Sequence, residues 1–130
     1  MTKNVNAIES ANAPKPIGPY SQAVKAGDFT FISGQIGLSP AAGQLAGNSI
    51  VVQAGQALAN IQAILESAGL EKTDLIKVEV YLKDIADFSE FNGLYSTWLG
   101  KAKPARQTMQ VAKLPMDALV EISAIAYGGK

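Results

Sequence analysis

The chain has 130 residues, of which 48% are hydrophobic and 17% charged, and its 11 basic and 11 acidic side chains give a net charge of zero. This composition is typical of a globular protein, and we predict one domain over 1–130. The zero net charge argues against electrostatic binding to nucleic acid or to an anionic membrane. The sequence contains neither histidine nor cysteine, which excludes a disulfide scaffold, a thiol nucleophile, a histidine base and a Cys/His zinc site.

Apolar runs in the sequence are too short for a membrane span, which needs about 20 residues. The N-terminal stretch MTKNVNAIESANAPK lacks the apolar core of a signal peptide. We therefore expect a cytoplasmic protein.

The N-terminal third predicts a loop followed by a strand. NVNAIE (4–9) allows an additional short strand, and the Pro/Gly-rich residues 12–23 predict an extended loop. Residues 28–37 alternate as a strand does. The two expected faces carry, respectively, Phe29 with Phe31 and Ile32 with Ile36.

Two amphipathic helices are predicted. Residues 50–68 have apolar side chains at helical spacing, with Ser49 as a candidate N-cap and Gly69 as a candidate stop. A second helix over about 86–99 has one aromatic side, formed by Phe88, Phe91, Tyr95 and Trp98. We expect both stripes to face the core.

The remaining segments predict strands. Residues 74–84 alternate cleanly, and 105–113 and 118–127 flank the turn-like sequence LPMD, which predicts a β-hairpin. The expected fold is α+β, a mixed sheet with two helices packed on one face.

The predicted hairpin places polar side chains on the sheet face away from the helices. Taking Met109, Val111, Val120, Ile122 and Ala124 as the core side leaves Arg106, Thr108, Glu121 and Ser123 together on the other. Exposed apolar side chains on that side predict a covering subunit. The assumed register separates Arg106 from the position opposite Glu121 by roughly 14–20 Å, so a shared small ligand would lie between subunits.

Glu121 and Arg106 are the strongest candidates for chemistry. A carboxylate in an otherwise apolar strand can orient a water molecule as a general base, or form a salt bridge at the sheet rim. Arg106 can hold a carboxylate with two parallel hydrogen bonds, or be a surface arginine. Thr108, two residues further on, offers a hydroxyl or a backbone N–H.

Four further residues are candidate ligand contacts. Tyr20 lies in the stiff loop and either closes over a ligand or anchors the loop. Ser33 and Gly34 bring hydroxyl and backbone donors together, although a strand glycine is also a packing feature. Asn92 on the second helix is either a contact or a solvated residue. The glycines match no phosphate-binding loop.

Five blocks of the sequence resemble one family. APKPIGPYSQAV, FISGQIG, QAGQALANIQAILESAGL, VEVYLKDIADFSEFN and PARQTMQVAKLPMDALVEISAIA occur in the order found in the RidA family of imine/enamine deaminases, within the Rid superfamily. The resemblance implies a fold similar to the small trimeric chorismate mutase, a homotrimer, and three clefts between subunits.

The implied activity is hydrolysis of 2-imino acids to 2-oxo acids and ammonia, without a cofactor. These imines are tautomers of 2-aminoacrylate and 2-aminocrotonate, which pyridoxal-phosphate-dependent dehydratases release. The resemblance therefore links the chain functionally to those enzymes, which the activity would protect from enamine damage. A non-catalytic 2-oxo acid sensor and a chaperone-like protein are the alternatives.

The resemblance also implies roles for individual residues. Arg106 would hold the substrate carboxylate, Glu121 would position the attacking water, and Tyr20, Ser33 and Asn92 would line the cleft. Thr108 stands where many members have cysteine, and the segment between Asn92 and Arg106 is shorter than in familiar members. The threonine removes a possible site of thiol chemistry but preserves a small side chain and the backbone donor. The shorter segment bears on cleft shape and substrate preference.

Overall fold

The computed structural model describes residues 4–128 and contains a six-stranded sheet with two helices. The strands and helices in chain order are β1 (Val5–Ile8), β2 (Ala23–Ala26), β3 (Phe29–Ile36), α1 (Ile50–Ser67), β4 (Leu75–Leu82), α2 (Phe88–Leu99), β5 (Ala105–Gln110) and β6 (Val120–Tyr127). The strand order is β1-β2-β3-β6-β4-β5, and β4 and β5 form a parallel pair in an otherwise antiparallel sheet. The predicted α+β fold with a mixed sheet is confirmed, including the N-terminal strand; β2 was not predicted.

Both helices pack on one face of the sheet, as their stripes predict. The core between them and the sheet includes Ala54, Leu58, Ile61, Leu65, Val78, Val80, Phe91, Tyr95 and Ile122. The Ser49 hydroxyl accepts a hydrogen bond from the Val52 backbone N–H at 3.2 Å, so the predicted N-cap is confirmed. Gly69 follows α1 at φ 74°, a left-handed conformation that suits glycine and ends the helix.

The predicted hairpin between β5 and β6 is wrong, because β4 lies between them. Val80 of β4 pairs with Thr108 on one side and with Ile122 on the other. Helix α2 is a crossover that returns the chain parallel to β4, and the loop after β5 then carries it past β4 to the opposite side. Local alternation predicts a strand but does not say which strand it pairs with.

This strand order changes the predicted faces. Residues paired across a sheet share a face, so Arg106 and Thr108 lie on the helix side with their partners in β4, whereas Glu121 and Ser123 lie on the open side. The prediction that all four share one side is therefore wrong. Met109, predicted to be in the core, lies on the open side and is 42% exposed.

A bulge in β3 corrects a second face assignment. The pairing passes from Ile32–Ala124 to Gln35–Ile122, so β3 has one extra residue, and Ser33 and Gly34 together lie opposite one residue of β6. A one-residue bulge reverses the alternation that follows it. Ile36 therefore lies on the open side with Phe29 and Phe31, rather than with Ile32 as the sequence predicted.

The open face of the sheet is partly apolar. Phe29, Phe31 and Tyr127 are each between 41% and 50% exposed, and the Phe29 and Tyr127 rings pack edge-to-face with centroids 5.0 Å apart. Ile125 pairs directly with Phe31 on the same face, next to the Phe29–Tyr127 pair. Within residues 4–128, no helix combines the length and apolar character needed to cross a membrane.

Candidate functional site

Glu121 lies in a cleft at the open face. The cleft has a volume of about 380 Å³ and is formed by the N-terminal loop, the β3 bulge and the segment before β6; its lining includes Pro16, Tyr20, Gln22, Ser33, Gly34, Leu38, Pro115 and Glu121. Among residues 4–128, no hydrogen bond or ion pair to the Glu121 carboxylate is found. Burial raises the pKa of Glu121 above its ordinary value. The carboxylate is therefore available as a proton acceptor in a partly desolvated place.

Gly34 packs directly against Glu121. A Cβ atom placed on Gly34 would lie 2.7 Å from the Glu121 Cδ and 3.0 Å from its Cγ, and it would overlap the Oε2 atom. Any larger residue at this position would therefore displace the carboxylate, which lies against the backbone of the bulge. The sequence predicted Gly34 as a donor site or a packing feature, and the structure supports packing.

Tyr20 and Ser33 border the same cleft. The Tyr20 side chain is 50% exposed, and its hydroxyl accepts a long hydrogen bond from the Ile17 backbone N–H at 3.4 Å. The Ser33 hydroxyl donates to the backbone carbonyl of Ser21 at 2.7 Å. Ser33 therefore fastens the loop that carries Tyr20, and its proton is already engaged within the chain.

Arg106 lies in a second recess, on the helix side of the sheet. Its Nη1 donates to the Asn92 Oδ1 at 2.6 Å, and its guanidinium carbon lies 5.3 Å and 5.1 Å from the centroids of the Phe88 and Tyr95 rings. These contacts fix the guanidinium through one hydrogen bond and two cation–π interactions. The recess has a volume of about 330 Å³, and its lining also includes Lys103 but no carboxylate.

Two buried hydroxyls belong to the Arg106 side. The Thr108 Oγ1 and the Tyr95 hydroxyl are buried without a hydrogen-bond partner among residues 4–128. Burial raises the pKa of Tyr95, and the neighbouring Arg106 charge partly offsets that shift. Tyr95 borders the recess, whereas Thr108 lies beside it on the helix-facing side of β5.

The two groups of residues do not meet within one chain. Glu121 pairs with Tyr81, which pairs with Met109, and Arg106 lies three residues before Met109 on the edge strand. Two strand spacings and three residues of β5 give a Cα separation of roughly 14 Å, with the two side chains on opposite faces. The structure brings together Tyr20, Ser33, Gly34 and Glu121, and separately brings together Asn92, Arg106 and Thr108.

Three residues that contribute to these sites were not predicted from the sequence. Phe88 and Tyr95 were assigned to the core, yet both also stack on Arg106. Their positions four before and three after Asn92 place all three on one side of α2, a signal that was present in the sequence. Gln22, which is 3% exposed and borders the Glu121 cleft, carries no comparable signal. Among the described residues, no group of three or more acidic side chains is arranged to hold a metal ion.

Comparison with known proteins places the chain in a family. The family model described as Endoribonuclease L-PSP matches residues 10–128. The chain belongs to this family, the Rid family. The predicted relationship to RidA is thereby confirmed.

Rid relatives cover nearly the whole chain. A RutC family protein from Pyrococcus horikoshii is 54% identical over 120 residues, which span 92% of this chain and 95% of the relative. A 2-iminobutanoate/2-iminopropanoate deaminase from Capra hircus is 48% identical over 122 residues, which span 94% and 89% respectively. Among solved structures, E. coli TdcF with bound serine superposes with a TM-score of 0.90 at 40% identity, covering 94% of this chain and 98% of that one. The Rid fold is thus shown by sequence and by structure.

Proposed function

We propose that this Rid protein hydrolyses 2-imino acids, the tautomers of 2-aminoacrylate and 2-aminocrotonate, to 2-oxo acids and ammonia. The observation that carries the proposal is the half-buried Glu121 carboxylate in its cleft, which has no hydrogen-bond or ion-pair partner among the described residues. The deaminase from Capra hircus, at 48% identity, supports the same reaction class. We place the activity in the cytoplasm, beside the pyridoxal-phosphate-dependent dehydratases that release such enamines.

The chemistry suits a chain without histidine or cysteine. An imine protonated on nitrogen is already electrophilic at carbon 2, so water is a sufficient nucleophile. Glu121 takes a proton from the water as the C–O bond forms, and it returns that proton to the nitrogen of the resulting carbinolamine. The C–N bond then breaks as Glu121 takes the proton of the new hydroxyl group, so that the C=O bond of the 2-oxo acid forms and ammonia leaves. A carboxylate whose pKa is raised by burial is a stronger base than an exposed one, and no cofactor is required.

Arg106 supplies the second requirement, which is to hold the substrate carboxylate. The guanidinium presents five N–H donors, and within residues 4–128 only Nη1 makes a hydrogen bond, to Asn92. Because Asn92 and the two aromatic rings fix the side chain in advance, little conformational entropy is lost when an anion binds. We assign Thr108 to the same carboxylate-binding group, because it lies two residues from Arg106 on the same face of β5.

We further propose that the working site lies between subunits of a homotrimer. Arg106 and Glu121 lie on opposite faces of the sheet, so Arg106 of one copy would meet Glu121, Tyr20 and Ser33 of the next. The partly apolar open face around Phe29, Phe31 and Tyr127 supports assembly, because burying such side chains against another copy is favourable.

A coupled assay tests the reaction. Threonine dehydratase releases the imine, semicarbazide traps it, and the purified protein should reduce semicarbazone formation from the imine. Arg106→Ala should abolish this reduction while leaving the protein folded by circular dichroism. If the wild-type protein does not reduce semicarbazone formation, the deaminase proposal fails.

A 2-oxo acid or amino acid sensor is the second candidate, because the preformed Arg106 recess would bind a carboxylate whether or not Glu121 is used. The bound serine in E. coli TdcF favours this class of ligand. Calorimetry with 2-oxobutanoate, run beside the imine assay, separates the two. Binding without turnover supports a sensor, and turnover supports a deaminase.

A further inference from the structure

The side-chain amide of Gln22 is the centre of the N-terminal loop. Its Oε1 accepts from the Ser10 backbone N–H at 2.6 Å. Its Nε2 lies within donating distance of three backbone carbonyls, those of Ser10 at 3.1 Å, Ala13 at 3.2 Å and Pro14 at 2.8 Å. The residue is 3% exposed. One side chain thus satisfies polar groups over five residues of a loop that contains no strand or helix.

This loop depends on side chains because its own backbone offers few donors. Pro14, Pro16 and Pro19 have no N–H group, so the segment from 13 to 20 cannot form a regular backbone ladder. Unsatisfied buried carbonyls are unfavourable, and the Gln22 amide is placed to satisfy them.

A second fastening lies at the other end of the loop. The Ser33 hydroxyl donates to the Ser21 carbonyl at 2.7 Å, and the Ser33 backbone N–H donates to the Gln22 carbonyl at 2.9 Å. Residues 15–20 are held between the two fastenings, and this segment includes Tyr20 and forms one wall of the Glu121 cleft. The position of Tyr20 relative to Glu121 therefore depends on both.

We infer that Gln22 is a positioning residue, which acts on the reaction by holding residues 15–20, and thus Tyr20, against the Glu121 cleft. This inference rests on the proposed function for its kinetic consequence. Its structural consequence, an ordered loop, does not depend on turnover. Ser33 belongs to the same arrangement, since its proton is donated to the loop.

Gln22→Glu is the sharpest test, because it preserves shape and replaces the donor amide by a carboxylate facing three carbonyl oxygens. We expect kcat/KM for the imine to fall by about tenfold, and Tyr20→Phe to cause a fall of similar size. Since both changes act through Tyr20, kcat/KM of the double variant should fall by no more than about tenfold. Independent effects would multiply to a fall of about 100-fold. Gln22→Met, which loses the donors without adding a charge, should behave in the same way if Gln22→Glu does not fold.

Gln53 provides a matched control. It is also a glutamine with 3% exposure; its amide donates to the Gly47 carbonyl and accepts from the Leu119 N–H, away from the N-terminal loop. Gln53→Glu should reduce stability, yet its effect on kcat/KM should multiply with that of Tyr20→Phe. A general loss of stability is thereby distinguished from positioning.

Hydrogen exchange gives the readout that does not need turnover. Amide exchange over residues 10–21 should accelerate by tenfold or more in Gln22→Glu and remain at the wild-type rate in Gln53→Glu. Wild-type exchange in Gln22→Glu overturns the inference, and so do independent effects of Gln22 and Tyr20 in an active enzyme. If the wild-type protein has no deaminase activity but Gln22→Glu still accelerates amide exchange, the deaminase proposal is overturned and the structural part of the inference, positioning of the loop, is supported.

Discussion

Gly34→Ala should separate catalysis from folding. The added Cβ would lie 2.7 Å from the Glu121 Cδ and 3.0 Å from its Cγ, whereas ordinary carbon contacts lie at about 3.5–4.0 Å. The Glu121 carboxylate must therefore move by about 1 Å, and a misplacement of that size reduces a rate by about 100-fold.

The same substitution should have little effect on stability. The atoms that must move belong to a half-buried side chain that can change rotamer, at roughly 0.5–1.5 kcal/mol. Replacing glycine also restricts the unfolded chain, which stabilises by about 0.4–1 kcal/mol, and Gly34 does not have the positive φ that would strain alanine. The two effects nearly offset, so the free energy of unfolding should change by less than about 1 kcal/mol.

The assay is the semicarbazide competition, with urea denaturation of the same preparations. Gly55→Ala is the control, because Gly55 lies in α1 and an added Cβ would meet only the Leu94 Cδ2, at 4.0 Å. It should raise stability by about 0.5–1 kcal/mol and leave the rate unchanged. If Gly34→Ala keeps kcat/KM within about threefold of wild type, the carboxylate against Gly34 is not the catalytic base.

Three further outcomes are expected. Burial raises the pKa of Glu121 in the folded chain, so the stability gained from its protonated form is present below the ordinary pKa and is lost as the pH rises through the raised pKa. Glu121→Gln should therefore be more stable than wild type at pH 7.5 but not at pH 4. An equal difference in the free energy of unfolding by urea at both pH values would refute this. Asn92→Ala releases the Arg106 guanidinium and should raise KM for the imine by about fivefold with a smaller change in kcat, whereas a change confined to kcat would contradict positioning of the carboxylate. Phe31→Lys places a charge on the open face and should dissociate the proposed oligomer in sedimentation experiments. If the wild-type protein is oligomeric and the variant sediments with the same mass, assembly does not use this face.

The spacing of apolar residues predicted the helices and strands, because each buries one side of its own residues against the core. The four-and-three spacing of Ala54, Leu58, Ile61 and Leu65 identified α1, and the alternation from Ile76 to Leu82 identified β4. Each pattern reports which side of one element meets the core. It does not report which neighbour a strand pairs with.

The wrong predictions concerned strand pairing and the alternation of faces that depends on it. β5 and β6 were joined as a hairpin because a short link separates them, although the crossover through α2 places β5 parallel to β4. The bulge at Ser33 and Gly34 reversed the face of Ile36. Gly34 was the available signal, because a glycine inside a strand often marks a bulge, but it was interpreted as a donor site or a packing feature. The chemistry-bearing residues were identified individually, but their division between two recesses required the strand order.

Because Arg106 and Glu121 lie on opposite sides of one sheet, each proposed catalytic site needs Arg106 from one copy and Glu121 from its neighbour. Two variants that are each inactive, Arg106→Ala and Glu121→Gln, would then complement one another when unfolded together and refolded. In an equal mixture, a ring of copies should form about a quarter of its boundaries from two intact halves, restoring about that fraction of wild-type turnover.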